Sequence, residues 1–229
     1  MENIINKLQT RFTRTSLPIS KPIIIHCCAG AGKTTFIREL LEQFPEVQAY
    51  THSQHLAAEK TISGRNFHHF SEYQPGYLDV IDEYLAGPIP ETCHFCFADP
   101  YQYNIDALPA HFICNKSYRF GTLTADYLNS LGYQVRSAGG SDSIRFIDLA
   151  HWEPEGICIT QDSDILNLLT RHGISAYHPC ETLGLQFNCV DYLVPKLPTP
   201  ATADANTYLA LTRHSSRLNV VSDAADSAT

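Results

Sequence analysis

The chain has 229 residues, 44% of them apolar and 17% charged, with a net charge of −8 and eight cysteines. That charge excludes a broadly basic, nucleic-acid-coating surface but leaves room for a local basic strip, and no run approaches the roughly 18 apolar residues of a membrane span, so direct membrane insertion is not expected. The cysteines read as reduced thiols, and the opening Met1-Glu2-Asn3-Ile4 lacks a signal-peptide pattern, so a cytosolic protein is expected.

From residue 22 onward short apolar runs alternate with helical patterns. The first half has predicted strands at Ile23–Cys28, Val47–Thr51, Leu78–Asp82, His94–Phe97 and Phe112–Cys114. The second half has them at Val135–Ser137, Ile144–Asp148, Gly156–Thr160, Ser175–His178 and Cys189–Val194. Helices are expected over Thr34–Gln43, Thr122–Leu131, Asp162–His172 and Ala203–Leu211, the second and third stopped by Gly132 and Gly173. Near-continuously apolar strands alternating with helices predict an α/β fold of parallel sheets covered on both faces. So many strands fit two small lobes better than one sheet, with a boundary near Cys114–Ser117. Residues 1–21 read as an N-terminal extension, 22–115 as the first lobe and 116–221 as the second. Pro195-Lys-Leu-Pro-Thr-Pro200 reads as a loop, and the small, acidic tail 222–229 is expected to be disordered.

The first lobe opens with the most informative stretch. An apolar strand, Ile23-Ile-Ile-His-Cys27, runs into Cys28-Ala-Gly-Ala-Gly-Lys-Thr-Thr35 at a helix start. Backbone N–H groups of such a turn face an anion that side chains would block. Gly30, Ala31, Gly32, Lys33, Thr34 and Thr35 are therefore the candidate nucleotide-binding residues. Lys33 would reach the β- and γ-phosphates and the Thr34 hydroxyl would ligate Mg²⁺. The full pattern has glycine where this chain has Cys27.

Two further sites follow. The strand Leu78–Asp82 ends in Asp82-Glu83, at the sheet edge where α/β folds bind ligands. Asp82 there would hold Mg²⁺ and Glu83 would polarise the attacking water. After the next strand, Asp99-Pro-Tyr-Gln102 would place Asp99 near the metal shell and Gln102 near the γ-phosphate or water.

Other constellations carry less. Cys93-His-Phe-Cys96 lacks the second Cys pair of a zinc site, and on a strand residues 93 and 96 would face opposite sides. His68-His69 reads as an ordinary loop or helix pair. Asn115-Lys-Ser-Tyr118 has tyrosine where a guanine-reading motif needs Asp, and no G-x-S-x-G turn occurs. Cations of the second half (Lys116, Arg119, Arg136, Arg145, Arg171, Arg213 and Arg217) are few, which predicts weak, salt-sensitive RNA affinity.

Gly-Lys-Thr, the post-strand Asp-Glu, Asp-Pro-x-Gln, Ser117-Tyr-Arg-Phe-Gly121, Glu181-Thr-Leu-Gly-Leu-Gln-Phe187 and Leu209-Ala-Leu-Thr-Arg-His214 occur in that order. Over about residues 22–214 this resembles the superfamily 1 RNA helicases of alphavirus-like plant viruses. Among them it looks most like the triple gene block protein 1 movement proteins of potexviruses and their relatives. The resemblance implies two RecA-like lobes with ATP and Mg²⁺ between them. It implies that Arg119 and Arg213, from the second lobe, neutralise charge on the transferring phosphoryl group, and that Tyr50-Thr-His-Ser53 lies where the family contacts RNA. Nearby Phe67, Phe70, Tyr73 and Tyr77 read as core rather than base platforms. Ala98 and Leu183 depart from the family's usual Gly and Gln. The implied activity is an RNA-stimulated ATPase with short-range unwinding, acting in the host cytoplasm in cell-to-cell movement and silencing suppression. Implied partners are single-stranded viral RNA, a second copy of the chain, other viral movement proteins, coat protein and host silencing factors. The alternative is a non-processive, self-associating RNA scaffold in which ATP only gates conformation.

Overall fold

In a computed structural model of the chain, residues 1–223 are described, and they fall into two compact units, Met1–Asn115 and a second beginning at Lys116. The first contains, in order, α1 (Glu2–Arg11), β1 (Thr13–Arg14), β2 (Ile23–Cys27), α2 (Lys33–Gln43), β3 (Val47–Thr51), α3 (Gln54–Ala58), β4 (His68–His69), β5 (Leu78–Asp82), β6 (Phe95–Ala98) and β7 (Phe112–Cys114). The spatial order is β1-β7-β2-β6-β5-β3-β4, parallel throughout except for the β1–β7 pair. Every residue of β5 and β6 is buried, as expected of strands covered on both faces.

This order positions the site. The chain leaves β2 for the outer β3, then returns inward through β5 and β6, so β6 lies between β2 and β5. Register pairs Ile25 with Phe97 and Asp82 with Phe97, which aligns the carboxyl ends of all three strands. The segments after β2, β5 and β6 therefore leave the sheet at one edge, where open α/β sheets place their ligands.

Residues 1–21 are more than an extension. Along α1 the i, i+4 pair Ile4 and Leu8 is fully buried, and Phe12 packs edge-on against Phe36 at 4.9 Å. Burying each aliphatic side chain contributes about 1.5–3 kcal/mol. Glu39 of α2 pairs with both Lys7 and Arg11 of α1, at 3.0 and 2.6 Å.

The second unit holds β8 (Lys116–Ser117), α4 (Thr122–Ser130), β9 (Arg136–Ser137), β10 (Ser143–Asp148), β11 (Ile157–Ile159), α5 (Ser163–Arg171), β12 (Ala176–Tyr177), β13 (Phe187–Leu193), α6 (Ala205–Leu211) and β14 (His214–Ser222). Its main sheet, β10-β14-β13-β11-β12, is wholly parallel, and β8 and β9 form a separate parallel pair. The nine-residue β14 lies inside the sheet, between β10 and β13, although it begins with the polar run His214-Ser-Ser-Arg217. Its last residue, Ser222, is buried, so the strand extends into the segment expected to be a disordered tail. The rest of that expectation, residues 224–229, lies outside the described residues.

One expected orientation is corrected. Cys93 precedes β6 rather than sitting on it, so the two-residue alternation does not apply to it. Its sulfur turns inward and lies 3.4 Å from Cys96 Sγ, both residues being buried.

Candidate functional site

The phosphate-loop candidate is built by backbone. β2 ends at Cys27, Ala31 N–H closes a turn on the Cys28 carbonyl at 3.1 Å, and α2 starts at Lys33. Gly30 and Gly32 have φ of +74° and +83°. A Cβ on Gly32 would meet no atom within 4 Å, so the left-handed backbone, not crowding, demands glycine there. Cys27 stands in the position where the pattern has glycine, yet it is still strand, registered against Cys114 with its side chain in the core. Burial pushes its thiol up. α2 then buries Phe36, Ile37, Leu40 and Leu41 as one face, leaving Thr34 half-buried and Thr35 exposed at its start.

At the end of β5 the chain makes an abrupt turn. Asp82 is buried, and Glu83 adopts φ +59° and ψ +46°, alone among the described non-glycine residues in having positive φ. A left-handed non-glycine residue costs roughly 1–2 kcal/mol. The turn brings the Glu83 carboxylate to Lys33, which binds Glu83 Oε1, while the Tyr103 hydroxyl donates to Oε2 at 2.9 Å. Lys33 Nζ also lies 3.4 Å from Asp82 Oδ1, an ion-pair distance, but that buried oxygen has no hydrogen-bond partner.

The electrostatics follow from burial and crowding. Desolvation pushes Asp82 up to about 6, Lys33 opposing and Glu83 adding to the shift. Burial alone would pull Lys33 down, but Asp82 and Glu83 together hold it above its ordinary value. Burial, then the charge of Glu83, raises the Tyr103 phenol, which stays a protonated donor. Burial also lifts Asp99 to about 6, against Gln102 and Lys33.

Asp99 follows β6 and caps the 3-10 turn Pro100–Gln102, accepting from Tyr101 N–H at 3.2 Å. Gln102 Nε2 donates back to Asp99 Oδ2 at 2.8 Å. Tyr103, the residue after Gln102 in this loop, bonds Glu83 through its hydroxyl.

In the second unit three separate motifs meet around the adjacent pair Thr212 and Arg213. Arg119 Nη1 donates to the Thr212 carbonyl at 3.0 Å, and Arg213 Nη2 to the Thr212 hydroxyl at 3.3 Å. Arg213 is buried and also donates to the carbonyls of Leu209 and Thr182, at 3.2 and 3.3 Å. Neighbouring His214 is held by Thr124 Oγ1 at 2.9 Å, and burial lowers its pKa to about 4.

Residues 23–222 match the family described as viral superfamily 1 RNA helicase core domain. The chain belongs to that family. It is 36% identical over 225 residues to the "Movement and silencing protein TGBp1" of Poplar mosaic virus (isolate ATCC Pv275), covering 96% of each chain. It is 33% identical to the protein of the same name from Papaya mosaic potexvirus, over 97% of this chain and 95% of that one. Among solved structures it resembles the PRRSV helicase, with a TM-score of 0.59 and 18% identity over 87% of this chain. It also resembles Arterivirus nonstructural protein 10 (helicase) in complex with DNA, with a TM-score of 0.52 and 16% identity over 96% of this chain. The chain spans about half the length of those two solved proteins, 52% and 57%. At such identities they bear on the fold alone. Family membership carries nucleotide use and helicase-type chemistry.

In this helicase-family chain the first unit gathers Lys33, Asp82, Glu83 and Asp99, and the second gathers Arg119 and Arg213. Among the described residues no group of three or more His, Cys, Asp or Glu is assembled to hold a metal by itself. The segment expected to contact RNA is partly structural: Tyr50 is buried, its hydroxyl donating to Gln48, and Ser53 caps α3. Tyr77, expected in the core, is exposed. Tyr103 escaped the sequence reading because its role depends on the left-handed turn at Glu83. The available signal was its place next to Gln102 in a motif loop.

Proposed function

We propose that the chain is an ATP- and Mg²⁺-dependent RNA helicase or translocase whose ATPase is stimulated by single-stranded viral RNA. The observation that carries the reading is Lys33 lying against both Asp82 and Glu83 where the phosphate loop meets the end of β5. Lys33 binds the β- and γ-phosphates on the N–H-lined turn of Gly30, Ala31 and Gly32, with Thr35 in the first turn of α2. The Thr34 hydroxyl and Asp82 carboxylate would hold Mg²⁺, which supplies charge neutralisation across the phosphates. The buried Asp82 Oδ1 without a hydrogen-bond partner suits that ion. So does the lack of an all-protein cage among the described residues, because Mg²⁺ in such sites takes one or two carboxylates plus phosphate and water.

Glu83 then orients the attacking water and accepts its proton, while Asp99 and Gln102 report on the γ-phosphate. We assign Arg119 and Arg213 to neutralising charge on the transferring phosphoryl group; such arginines are worth about 10³–10⁵ in rate. The relatives' names, movement and silencing protein, support a role in cell-to-cell movement and silencing suppression in the host cytoplasm. A second copy, other movement proteins, coat protein and silencing factors are the partners that role would involve.

The test is ATP turnover with and without single-stranded RNA, beside Lys33→Ala and Arg213→Ala. RNA-stimulated turnover lost in both variants supports the reading. Turnover retained in Lys33→Ala overturns the enzyme assignment. Nucleotide binding that needs Lys33 but leads to no turnover favours the ATP-gated scaffold.

A further inference from the structure

We infer that Tyr103 is a positioning residue for ATP hydrolysis, anchoring one oxygen of Glu83 so that the other faces the attacking water. The inference rests on the proposed role of Glu83. It starts from a difference between that carboxylate's two contacts. Oε1 is held by Lys33, which a bound nucleotide would draw to its phosphates. Oε2 is held by the Tyr103 hydroxyl at 2.9 Å, a neutral donor without the charge that would draw Lys33 to a phosphate. When Lys33 turns to the phosphates, Glu83 keeps a single fixed point, and its released oxygen is the one available to water.

Tyr103 is placed to do this. It follows directly on the turn capped by Asp99, and its own N–H closes that turn on the Pro100 carbonyl at 3.4 Å. Its ring is half-buried, packed against a cluster that includes Ile81 and Ala98 from the strands flanking the site. Glu83, by contrast, sits on a left-handed turn rather than in a helix or strand that would fix its rotamer. A general base must lie within hydrogen-bond reach of its water in a defined direction, and a misplaced carboxylate loses rate without losing nucleotide.

The experiment is a double-mutant cycle on the full chain with single-stranded RNA present, comparing wild type, Tyr103→Phe, Glu83→Gln and the double variant. It reads single-turnover hydrolysis, affinity for a fluorescent non-hydrolysable ATP analogue, and Tm. Tyr103→Phe keeps the ring and removes only the donor. Its hydrolysis rate should fall about 10–100-fold, the range expected for losing a hydrogen bond to a charged group, with analogue affinity within about twofold of wild type. The double variant should be no slower than Glu83→Gln alone. Wild-type rates in Tyr103→Phe would overturn the inference. So would a double variant slowed by the full single-variant factor, or a rate loss matched by equal losses of affinity and Tm, which would mark a structural role. An inactive wild type would remove the hydrolytic reading itself and this inference with it, whereas the other adverse outcomes leave that reading standing.

Discussion

The Lys33 ammonium lies 3.4 Å from Asp82 Oδ1 and at the same time binds Glu83, so one cation serves two adjacent carboxylates at the end of β5. Truncation therefore has two effects. Lys33→Ala should reduce ATP turnover more than 100-fold, roughly the scale of a lost transition-state charge contact. It should also lower stability without nucleotide by about 2–4 kcal/mol, since a buried carboxylate is left without its partner. Adding Glu83→Gln should restore part of the lost stability and none of the turnover. Thermal or urea denaturation of the two variants beside a turnover assay checks both effects; an unchanged midpoint for Lys33→Ala would contradict the first-unit ion cluster.

Backbone geometry at Glu83 makes a separate claim. In most positions Ala is more stable than Gly because it loses less entropy on folding. At φ +59° the order should reverse, because a Cβ is strained there and Gly is not. Glu83→Gly is expected to be more stable than Glu83→Ala by about 1 kcal/mol, and both should lose hydrolysis. Equal or reversed midpoints would mean that the left-handed turn is not held in solution.

The N-terminal helix tests the packing. Leu8 is fully buried on α1, and Phe12 at its end meets Phe36. Leu8→Ala should cost about 2–4 kcal/mol, comparable to other core truncations. Lys7→Ala removes a partly exposed ion pair with Glu39 and should cost less than about 1 kcal/mol. If the helix were a dispensable extension, both variants would unfold at the wild-type midpoint, which chemical denaturation would show directly.

These cases also mark what the sequence carried. β3, β5 and β7 lie at the residues expected, because each is a short apolar run with polar or small residues at its ends. The start of α2 was legible within a residue, since a Gly-x-Gly-Lys turn states its own backbone conformation. α1 had a signal in Ile4, Leu8 and Phe12, but a ten-residue helix has little propensity of its own and takes its stability from Phe36 and Glu39, far along the chain. β14 was hidden behind the polar start His214-Ser-Ser-Arg217, although parallel partners on both sides place it inside the sheet. The meeting of Arg119 and Arg213 at Thr212, like that of Tyr103 and Glu83, comes from tertiary folding that no local spacing encodes.

Two imidazoles, His214 buried and His26 half-buried, should each withdraw stability from the fold in acid. Burial lowers both His26 and His214 to about 4, from an ordinary value near 6.5. His214 is the more enclosed. It bonds Thr124 and stacks near Phe120, while Asp142 raises and Arg119 lowers its affinity for a proton. The folded-state pKa lies below the unfolded one, so each neutral imidazole contributes stability that is present above about 6.5. As pH falls from there toward 4, the unfolded chain binds a proton that the folded chain refuses. The slope for His214 approaches 1.4 kcal/mol per pH unit, for a total of about 3 kcal/mol. Asp82 and Asp99, raised to about 6 by burial, take up protons in the folded state over the same range and oppose this loss, so the His214 contribution is read from urea midpoints between pH 7 and 4.5 as the difference between wild type and a variant. His214→Gln, which keeps a polar partner for Thr124 but does not titrate, should gain stability relative to wild type as pH falls, with a slope of about one proton. Identical slopes for wild type and variant would mean that His214 is not buried in its neutral form.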